Sequence, residues 1–406
     1  MTKNRAPRYY LNKIHLLFEM IMRRPSPTNV PVYCLHEPTT GCNLKCPACP
    51  TGAGVTDLKE TATLEDYEQV IKEFGAYLDV YYLFNWGEPT MHRELTAILD
   101  RLRTEPFRVH MSSNFSVPLK DETIAALANM PNLNLRINVD GATQESHQKY
   151  RVNSKLSTVL DNAERLSREI TLGLHHPEVY FGFLSFDYNK DEFDAVQAMA
   201  QKLKFPAIRF DNPLVADETI PEVGLSIEQE IGCTWLYSSI SPSPGLTKIA
   251  PCCGVWDEKQ MSDRAGSLHE TFMREPKYMS RRTYDAEFAK RPNIDRVEHL
   301  RSNLRADKGM ALRQREYTTD VCVNCTMGKS YQNKLPGLTA AAIGAYAALT
   351  RTDAQTAQTR LFRILGLVTH ENTGLRDAVC AALDMPPAAT RTDEDYRPFM
   401  RLLASS

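Results

Sequence analysis

The sequence contains no long apolar run and no excess of charge of one sign. No segment approaches the roughly 18 uncharged apolar residues that a membrane-spanning helix requires, so we expect no transmembrane span. The 48 Lys and Arg residues nearly balance the 50 Asp and Glu residues, and the formal net charge of −2 argues against a nucleic-acid partner. The first 24 residues carry scattered charges and lack a small-residue cleavage site, so no secretory signal is predicted. These absences indicate a cytoplasmic localisation.

Cysteine is also scarce, at 10 of 406 residues, which excludes a disulfide-dense scaffold. Seven of the ten nevertheless lie in close groups. These groups are Cys42, Cys46 and Cys49, then Cys252 and Cys253, and then Cys322 and Cys325. Close spacing of cysteines in a reducing compartment is typical of metal ligation and not of disulfide bonds. The cysteine groups therefore mark the candidate sites.

Strand-like runs alternate with helix-like segments between residues 30 and 212. The six runs rich in apolar, β-branched or aromatic residues are Val30–Leu35, Val80–Asn85, Phe107–Met111, Leu133–Val139, Val179–Phe186 and Ala207–Phe210. The segments between them repeat apolar residues at helical spacing, and Thr63 with Asp66 resembles a capping box. Six β–α units in series predict an α/β fold with a parallel sheet. We expect a partial (β/α)6 barrel, since the two further units of a closed eightfold barrel are missing.

Four regions are predicted along the chain. Residues 1–29 hold an amphipathic basic helix that we expect to pack on the barrel, although such a helix also suits a membrane surface. Residues 30–215 form the partial barrel. Residues 216–335 lose the periodicity among prolines and five cysteines, which predicts a small metal-tied domain. Residues 336–406 are Ala-rich and predicted to be helical.

The loop from Gly41 to Pro50 directly follows the first predicted strand and contains the first cysteine group. Three thiolates on a short loop can ligate three irons of a 4Fe–4S cluster, which leaves the fourth iron open to a chelating molecule. The alternative is structural zinc, which takes four ligands and for which His36 could complete the set.

At these residues the chain resembles the radical S-adenosylmethionine (SAM) superfamily, whose signature is a Cys-x3-Cys-x2-Cys loop after strand one. The resemblance implies that the open iron binds the amino and carboxylate groups of SAM. It further implies that one electron from the reduced cluster cleaves SAM to a 5′-deoxyadenosyl radical, which abstracts a hydrogen from substrate. Ala48 departs from the family, in which an aromatic residue often precedes the third cysteine.

Other family motifs follow the next strands in order. Asn85-Trp86-Gly87-Glu88-Pro89 resembles the Gly-Gly-Glu-Pro motif, with Trp86 in place of the first glycine, and Glu88 is the candidate partner of the SAM ammonium. The resemblance implies ribose or carboxylate contacts after strands three and four, although Tyr150 and Arg151 are adjacent here where one branch separates them. Each of these residues alone also suits a turn or a surface ion pair. The candidate SAM contacts are Gly87, Glu88, Pro89, Ser112, Asn114, Asn138 and Arg151.

The later cysteines resemble the SPASM/twitch extension of the same superfamily, which carries auxiliary 4Fe–4S clusters. A full SPASM domain has seven cysteines, but here none lies between Cys325 and Cys380, so we expect one auxiliary cluster. Its expected ligands are Cys233, Cys252, Cys322 and Cys325, with Cys253 as the rival of Cys252. Four thiolates would leave no open iron and would suit electron transfer. Cys34 and Cys380 are expected to be plain buried residues.

These resemblances imply an oxidoreductase-type radical SAM enzyme that uses SAM and two 4Fe–4S clusters. The expected substrate is a small polar molecule of a biosynthetic pathway (a sugar, an aminocyclitol or a nucleoside), and the expected electron donor is a flavodoxin or ferredoxin. Alternatives are a maturase of peptides or proteins, an enzyme for a lipid substrate, and a non-catalytic zinc or iron–sulfur interaction module. No acid–base role is assigned to His92, His147, His175 or His176, and the catalytic residues are not identified.

Overall fold

A computed structural model describes most of the chain. The described residues are 5–22, 24, 27–47, 49–54, 56, 58–211, 234–250, 253, 255, 258, 261–274, 335–369 and 373–405. The helices in these ranges are α1 Pro7–Met22, α2 Pro50–Ala53, α3 Leu64–Phe74, α4 Leu95–Leu102, α5 Asp121–Ala128, α6 Gln144–Tyr150, α7 Leu156–Leu172, α8 Phe193–Lys202, α9 Trp235–Ser238, α10 Leu268–Arg274, α11 Leu335–Thr350, α12 Ala354–Thr369, α13 Thr373–Ala382 and α14 Arg397–Ser405. Short 3-10 helices span Pro89–Met91, Lys190–Glu192 and Asp393–Tyr396.

The strands form one sheet in the order β6-β5-β4-β3-β2-β1-β7-β8-β9. They are β1 Tyr33–Leu35, β2 Val80–Tyr82, β3 Arg108–Ser113, β4 Leu133–Asn138, β5 Glu178–Ser185, β6 Ala207–Asp211, β7 Ser239–Pro242, β8 Lys248–Ala250 and β9 Ser262–Asp263. Strands β1 to β6 pair in parallel and in chain order, as the six predicted runs require. The α/β fold class and the helical C-terminal region are thus confirmed, and the described sheet is open at β6.

The sheet extends beyond the six predicted strands. Strand β7 pairs in parallel with the free side of β1, and β8 and β9 continue from it in antiparallel pairs. The sequence pattern did not predict this extension, because the strands are short and lie among prolines and serines. The division at residue 215 remains a prediction, since residues 212–233 lie outside the described ranges.

The burial of the strands alternates along the chain. Residues such as Tyr81, Val109, Leu135 and Phe181 are fully buried on the face that the helices cover, whereas the residues between them are half-buried. This alternation is the period of two of a β-strand.

The start of helix α3 is fixed by a capping box, as the sequence predicted. The Thr63 hydroxyl accepts from the N–H of Asp66 at 3.3 Å, and the Asp66 carboxylate accepts from the N–H of Thr63 at 2.8 Å.

Helix α1 was expected to pack on the barrel, but its main partners are the C-terminal helices. Every residue from Leu11 to Met22 is buried, mainly against α11 and α12. Lys13 and Tyr9 both bond the carboxylate of Asp79, which lies immediately before β2. Helix α1 therefore lies at the amino end of β2. No helix in the described part of the chain has the length and apolarity needed to cross a membrane.

Candidate active site

The first cysteine group lies on the loop between β1 and α2, at the carboxyl ends of the parallel strands. The Sγ of Cys42 accepts from the N–H of Leu44 at 3.4 Å, and Cys46 is buried. All three cysteines border one apolar patch formed around Leu44 and Tyr150. The loop thus carries three thiols in a partly dry environment at the edge where the strands of such folds present functional groups.

Two glycines allow backbone to approach this loop. A Cβ on Gly52 would lie 2.5 Å from both the N and the O of Cys46. A Cβ on Gly87 would lie 1.8 Å from the carbonyl O of Thr39. Both distances are far below van der Waals contact, so each position requires the absence of a side chain. Gly87 was among the predicted site residues, whereas Gly52 was missed because its contact is visible only in three dimensions.

Glu37 holds the turn formed by residues 85–87, and the sequence analysis missed it. Its Oε2 accepts from the N–H of Trp86 at 2.7 Å and from the N–H of Gly87 at 2.6 Å. In a planar trans peptide the C=O points opposite to the N–H, so the carbonyls of Asn85 and Trp86 face away from Glu37. The Trp86 oxygen lies 3.9 Å from the Sγ of Cys49. The turn therefore directs the carbonyl oxygen of Trp86 toward the cysteine loop.

Burial raises the pKa of Glu37 from 4.5 to about 7, although bonds from the N–H groups of Gly87, Trp86 and Asn85 oppose this shift. The folded chain therefore binds this proton more tightly than the unfolded chain. The contribution of Glu37 to stability is fully present below pH 4.5 and is lost as the pH rises through about 7. Relative to Glu37→Gln, the wild-type protein should lose about 3 kcal/mol of unfolding free energy across this range.

Urea titrations of the two metal-free proteins at several pH values measure this difference. The buried histidines His15, His36 and His147, whose pKa values burial lowers to about 4, titrate in both proteins and cancel in the comparison. A constant stability difference between wild type and Glu37→Gln from acidic to alkaline pH would contradict this account of Glu37.

Glu88 ties the end of β2 to the end of β3. One carboxylate oxygen accepts from the N–H and hydroxyl of Thr90 at 3.0 and 2.7 Å and from the hydroxyl of Ser113 at 2.6 Å. The other accepts from the N–H of Asn114 at 2.7 Å. Three of these bonds share one oxygen and the fourth goes to the other, so the carboxylate is held from both strand ends. The contact between Glu88 and the SAM ammonium stays a prediction, but the bonds give Glu88 a structural role. Pro89 begins the 3-10 helix that follows.

The polar residues at the ends of β3 and β4 connect to the cysteine loop. The Asn114 amide donates to the side chain of Asn43 at 2.9 Å and lies 3.8 Å from the Sγ of Cys42. The Asn138 amide donates to the hydroxyl of Ser112 at 3.1 Å and to the carbonyl of Ser113 at 2.8 Å. The predicted residues of strands two, three and four are thus brought together beside the first cysteine group.

Arg151 lies on the other side of the loop, paired with Asp140. Its Nε donates to the fully buried Asp140 carboxylate at 2.6 Å, and the other Asp140 oxygen accepts from the N–H of Leu184 at 2.7 Å. Burial alone would lower the pKa of Arg151, but the charges of Asp140 and Cys46 outweigh it and raise this pKa. Arg151 therefore stays charged beside the Cys46 thiol, and its predicted contact with the SAM carboxylate is not yet tested.

The donor set suits an iron–sulfur cluster better than zinc. Burial raises the pKa of Cys42 to about 12, and a bound metal would displace that proton. No three His, Cys, Asp or Glu side chains in the described ranges converge as ligands of one metal ion. A cubane takes one thiolate per iron, so its ligands need not converge on one point. His36 is not available as a fourth zinc ligand, since its ring nitrogens bond the Tyr81 hydroxyl and the Pro244 carbonyl at 2.6 and 2.8 Å.

The auxiliary ligands Cys233, Cys252, Cys322 and Cys325 lie outside the described residues. Cys253 is described and is buried beside Leu35 and Trp235. The auxiliary cluster and the choice between Cys252 and Cys253 therefore stay predictions. Cys34 is fully buried in the core, as expected, whereas Cys380 is only half-buried at the edge of the core, so the expectation of burial was wrong for Cys380.

Of the histidines, His92 and His147 have structural hydrogen bonds. The Nε2 of His92 lies 2.8 Å from the carbonyl of Ala62, and that of His147 lies 2.8 Å from the hydroxyl of Ser154. Both side chains are buried. Both rings are therefore held by hydrogen bonds within the protein.

Residues 36–198 match the family model described as the Radical SAM superfamily. A search of curated proteins found no match. Streptococcus suis SuiB bound to S-adenosylmethionine superposes with a TM-score of 0.51 at 11% identity, covering 72% of this chain and 77% of that one. A second structure of S. suis SuiB gives a TM-score of 0.50 at 10% identity with the same coverage. BtrN in complex with AdoMet and 2-DOIA superposes with a TM-score of 0.38 at 12% identity, covering 63% of this chain and 87% of that one. Residues 36–198 therefore match a radical SAM superfamily domain, and the chain shares the fold of SuiB.

Proposed function

We propose that this chain, which contains a radical SAM superfamily domain, is an enzyme that cleaves SAM reductively and abstracts a hydrogen atom from a small polar substrate. The observation that carries the proposal is the convergence of the Cys42–Cys49 loop with the turn at Trp86 and the amide of Asn114 at one edge of the sheet. Family motifs scattered over the sequence thus form one site. A non-catalytic interaction module would not require these three groups to lie together.

Cys42, Cys46 and Cys49 would hold the 4Fe–4S cluster. When bound, the cluster would supply the electron that cleaves SAM to methionine and a 5′-deoxyadenosyl radical. The apolar patch around Leu44 and Tyr150 excludes water from one side of the thiols. Such exclusion strengthens the interactions of charged groups and protects a reactive radical from solvent.

The carbonyl oxygens of Asn85 and Trp86 are better placed than Glu88 to accept from the SAM ammonium. The Trp86 oxygen lies 3.9 Å from the Cys49 Sγ and both carbonyls point away from Glu37, whereas the Glu88 oxygens already accept four bonds within the protein. In this proposal Glu88 keeps the two strand ends together. Asn138 is the candidate for the ribose, and Arg151, held by Asp140, is the candidate for the SAM carboxylate.

The half-buried face of the sheet supports a polar substrate. Arg136 donates through Nε to the hydroxyl of Ser112 at 3.0 Å, and its guanidinium lies 5.3 Å from the centre of the Phe210 ring. His110 and Tyr82 lie on neighbouring strands with ring centres 5.3 Å apart. Aromatic and polar groups side by side are typical of sites for small polar molecules. A maturase of peptides or proteins is the alternative.

In the same proposal Cys233, Cys252, Cys322 and Cys325 hold a second cluster that serves electron transfer, with Cys253 as the rival of Cys252. A flavodoxin or ferredoxin would supply the first electron. Iron, sulfide and zinc contents per chain after anaerobic reconstitution test this arrangement. About eight iron and eight sulfide are expected for two clusters. About four iron and four sulfide per chain would show that the second cluster is absent. Zinc without iron would contradict the proposal that the chain is a radical SAM enzyme.

Cleavage of SAM tests the function itself. The reconstituted full-length protein with a chemical reductant should produce 5′-deoxyadenosine and methionine from SAM. Transfer of deuterium into 5′-deoxyadenosine from labelled sugars, aminocyclitols or nucleosides would identify the substrate class, and transfer only from a peptide would favour the maturase. A protein that holds the first cluster but neither binds nor cleaves SAM would contradict the proposal.

A further inference from the structure

The carboxylate of Glu37 is built into the site, yet neither the cluster nor the SAM contacts proposed above use it. Glu37 follows β1 and is only 6% exposed, and its Oε2 takes the N–H groups of two successive residues, Trp86 and Gly87. We infer that Glu37 is a positioning residue of the SAM site, which fixes the orientation of the turn at residues 85–87 toward the cysteine loop. This inference rests on the proposed function.

The orientation matters because the two faces of the turn have opposite polarity. With the N–H groups of Trp86 and Gly87 bound to Glu37, the carbonyls of the preceding peptides must point to the opposite side. That side is the cysteine loop, as the 3.9 Å contact between the Trp86 oxygen and the Cys49 Sγ shows. A rotated peptide would present an N–H there and would repel the SAM ammonium. A buried carboxylate acceptor selects one of these two orientations.

Other contacts hold the turn in position, but they do not fix the rotation of its peptide planes, which the bonds to Glu37 determine. The N–H of Glu88 donates to the carbonyl of Gly41 at 2.8 Å, which fixes the end of the turn. Behind the turn, a cavity is lined by Glu37, Thr40, Thr51, Asn85, Trp86 and Ser241 among others. Removal of the Glu37 side chain would enlarge this cavity, so the peptides would gain room to rotate.

Two substitutions separate the reach of the side chain from its charge. Glu37→Gln keeps the length and leaves one carbonyl oxygen, which can accept from both Trp86 and Gly87. Glu37→Asp keeps the charge but is one methylene too short to hold the same bonds. If Glu37 acts by positioning, Gln preserves the site and Asp does not. A merely electrostatic role would give the reverse order.

The experiment compares the wild-type protein with Glu37→Gln, Glu37→Asp and Glu37→Ala after anaerobic reconstitution and iron analysis. The readouts are the Kd for SAM, the change in the EPR spectrum of the reduced cluster when SAM is added, and hydrogen exchange at the amides of residues 86 and 87 in the cluster-free protein. The matched control is Glu73→Asp. Glu73 is equally buried and accepts from the N–H of His269 at 3.1 Å, but it lies on α3, outside the site.

We expect Glu37→Asp and Glu37→Ala to weaken SAM binding by about tenfold or more and to speed exchange at the two amides, because neither side chain reaches the N–H groups of Trp86 and Gly87. Gln should stay within about threefold of wild type, and Glu73→Asp should match wild type. Asp or Ala proteins that hold full iron and bind SAM as wild type does would overturn the inference. If the Glu37→Ala protein fails to load iron, the Kd of Glu37→Asp for SAM and the hydrogen-exchange rates test the inference. A wild-type protein with a full cluster and no SAM binding would instead refute the proposed function.

Discussion

Replacement of Cys42, Cys46 and Cys49 together by alanine will lower the iron content by about four per chain and reduce SAM cleavage by at least about a thousandfold. The reason is that these thiols are the proposed ligands of the iron that binds SAM. The three side chains border one apolar patch beside Asn114 and the turn at Trp86. Iron analysis and chromatographic detection of 5′-deoxyadenosine measure the two effects.

The matched control is Cys34→Ala on the adjacent strand. Cys34 is fully buried in the hydrophobic core and contributes no bond to the loop. Its loss should cost roughly 1 kcal/mol of stability through a small cavity and leave iron content and cleavage unchanged. A triple variant that keeps its full iron and still cleaves SAM would remove the first cysteine group from the site. Iron that remains at about four per chain would be expected for an intact auxiliary cluster.

Gly87→Ala will destabilise the site more than any conservative change of its side chains. The added Cβ would lie 1.8 Å from the carbonyl O of Thr39 and 2.8 Å from its carbonyl carbon. The obstacle is backbone, so no side-chain rotation relieves the clash and the turn must separate from the loop. We expect a loss of about 3 kcal/mol in unfolding free energy, the upper part of the range for overpacked positions. The iron content of the variant after reconstitution should also be lower than that of wild type.

Gly344→Ala is the control for this substitution. Gly344 lies in α11, is exposed, and an added Cβ would meet no atom within 4 Å. Alanine there should stabilise the protein by about 0.5–1 kcal/mol, because it lowers the entropy of the unfolded chain and favours the helix. Denaturant titrations of both variants beside wild type compare the effects. Equal stabilities of Gly87→Ala and wild type would contradict the close approach of the two backbones.

The sequence was informative where chemistry depends on residue type and spacing along the chain. The six parallel strands were predictable because each buried strand is a run of apolar or β-branched residues between helical segments. The group at Cys42 was predictable because its three cysteines lie on one loop. Ser112 and Asn138 were predicted at the carboxyl edge of the sheet because they lie at the ends of the third and fourth predicted strands.

The sequence was uninformative where function depends on contact with backbone. Glu37 acts on the N–H groups of Trp86 and Gly87, which every residue except proline possesses, so no pattern marks the pair. The same holds for Gly52, whose neighbour is the backbone of Cys46. The likeness of Glu88 to a family motif indicated its importance, but the four bonds that occupy it appear only when β2 and β3 are adjacent.

The position of β1 between β2 and β7 has a consequence for the order in which the chain is made. Tyr33 is in register with Val80 on one side and with Ser239 on the other. At about 5–20 residues per second, the ribosome completes β7 roughly 10–40 s after β1. During that interval the strand that carries the cysteine loop has an open edge, and pairings so distant in sequence form slowly. The nascent chain thus exposes the three thiols of the loop before β1 is paired on both sides.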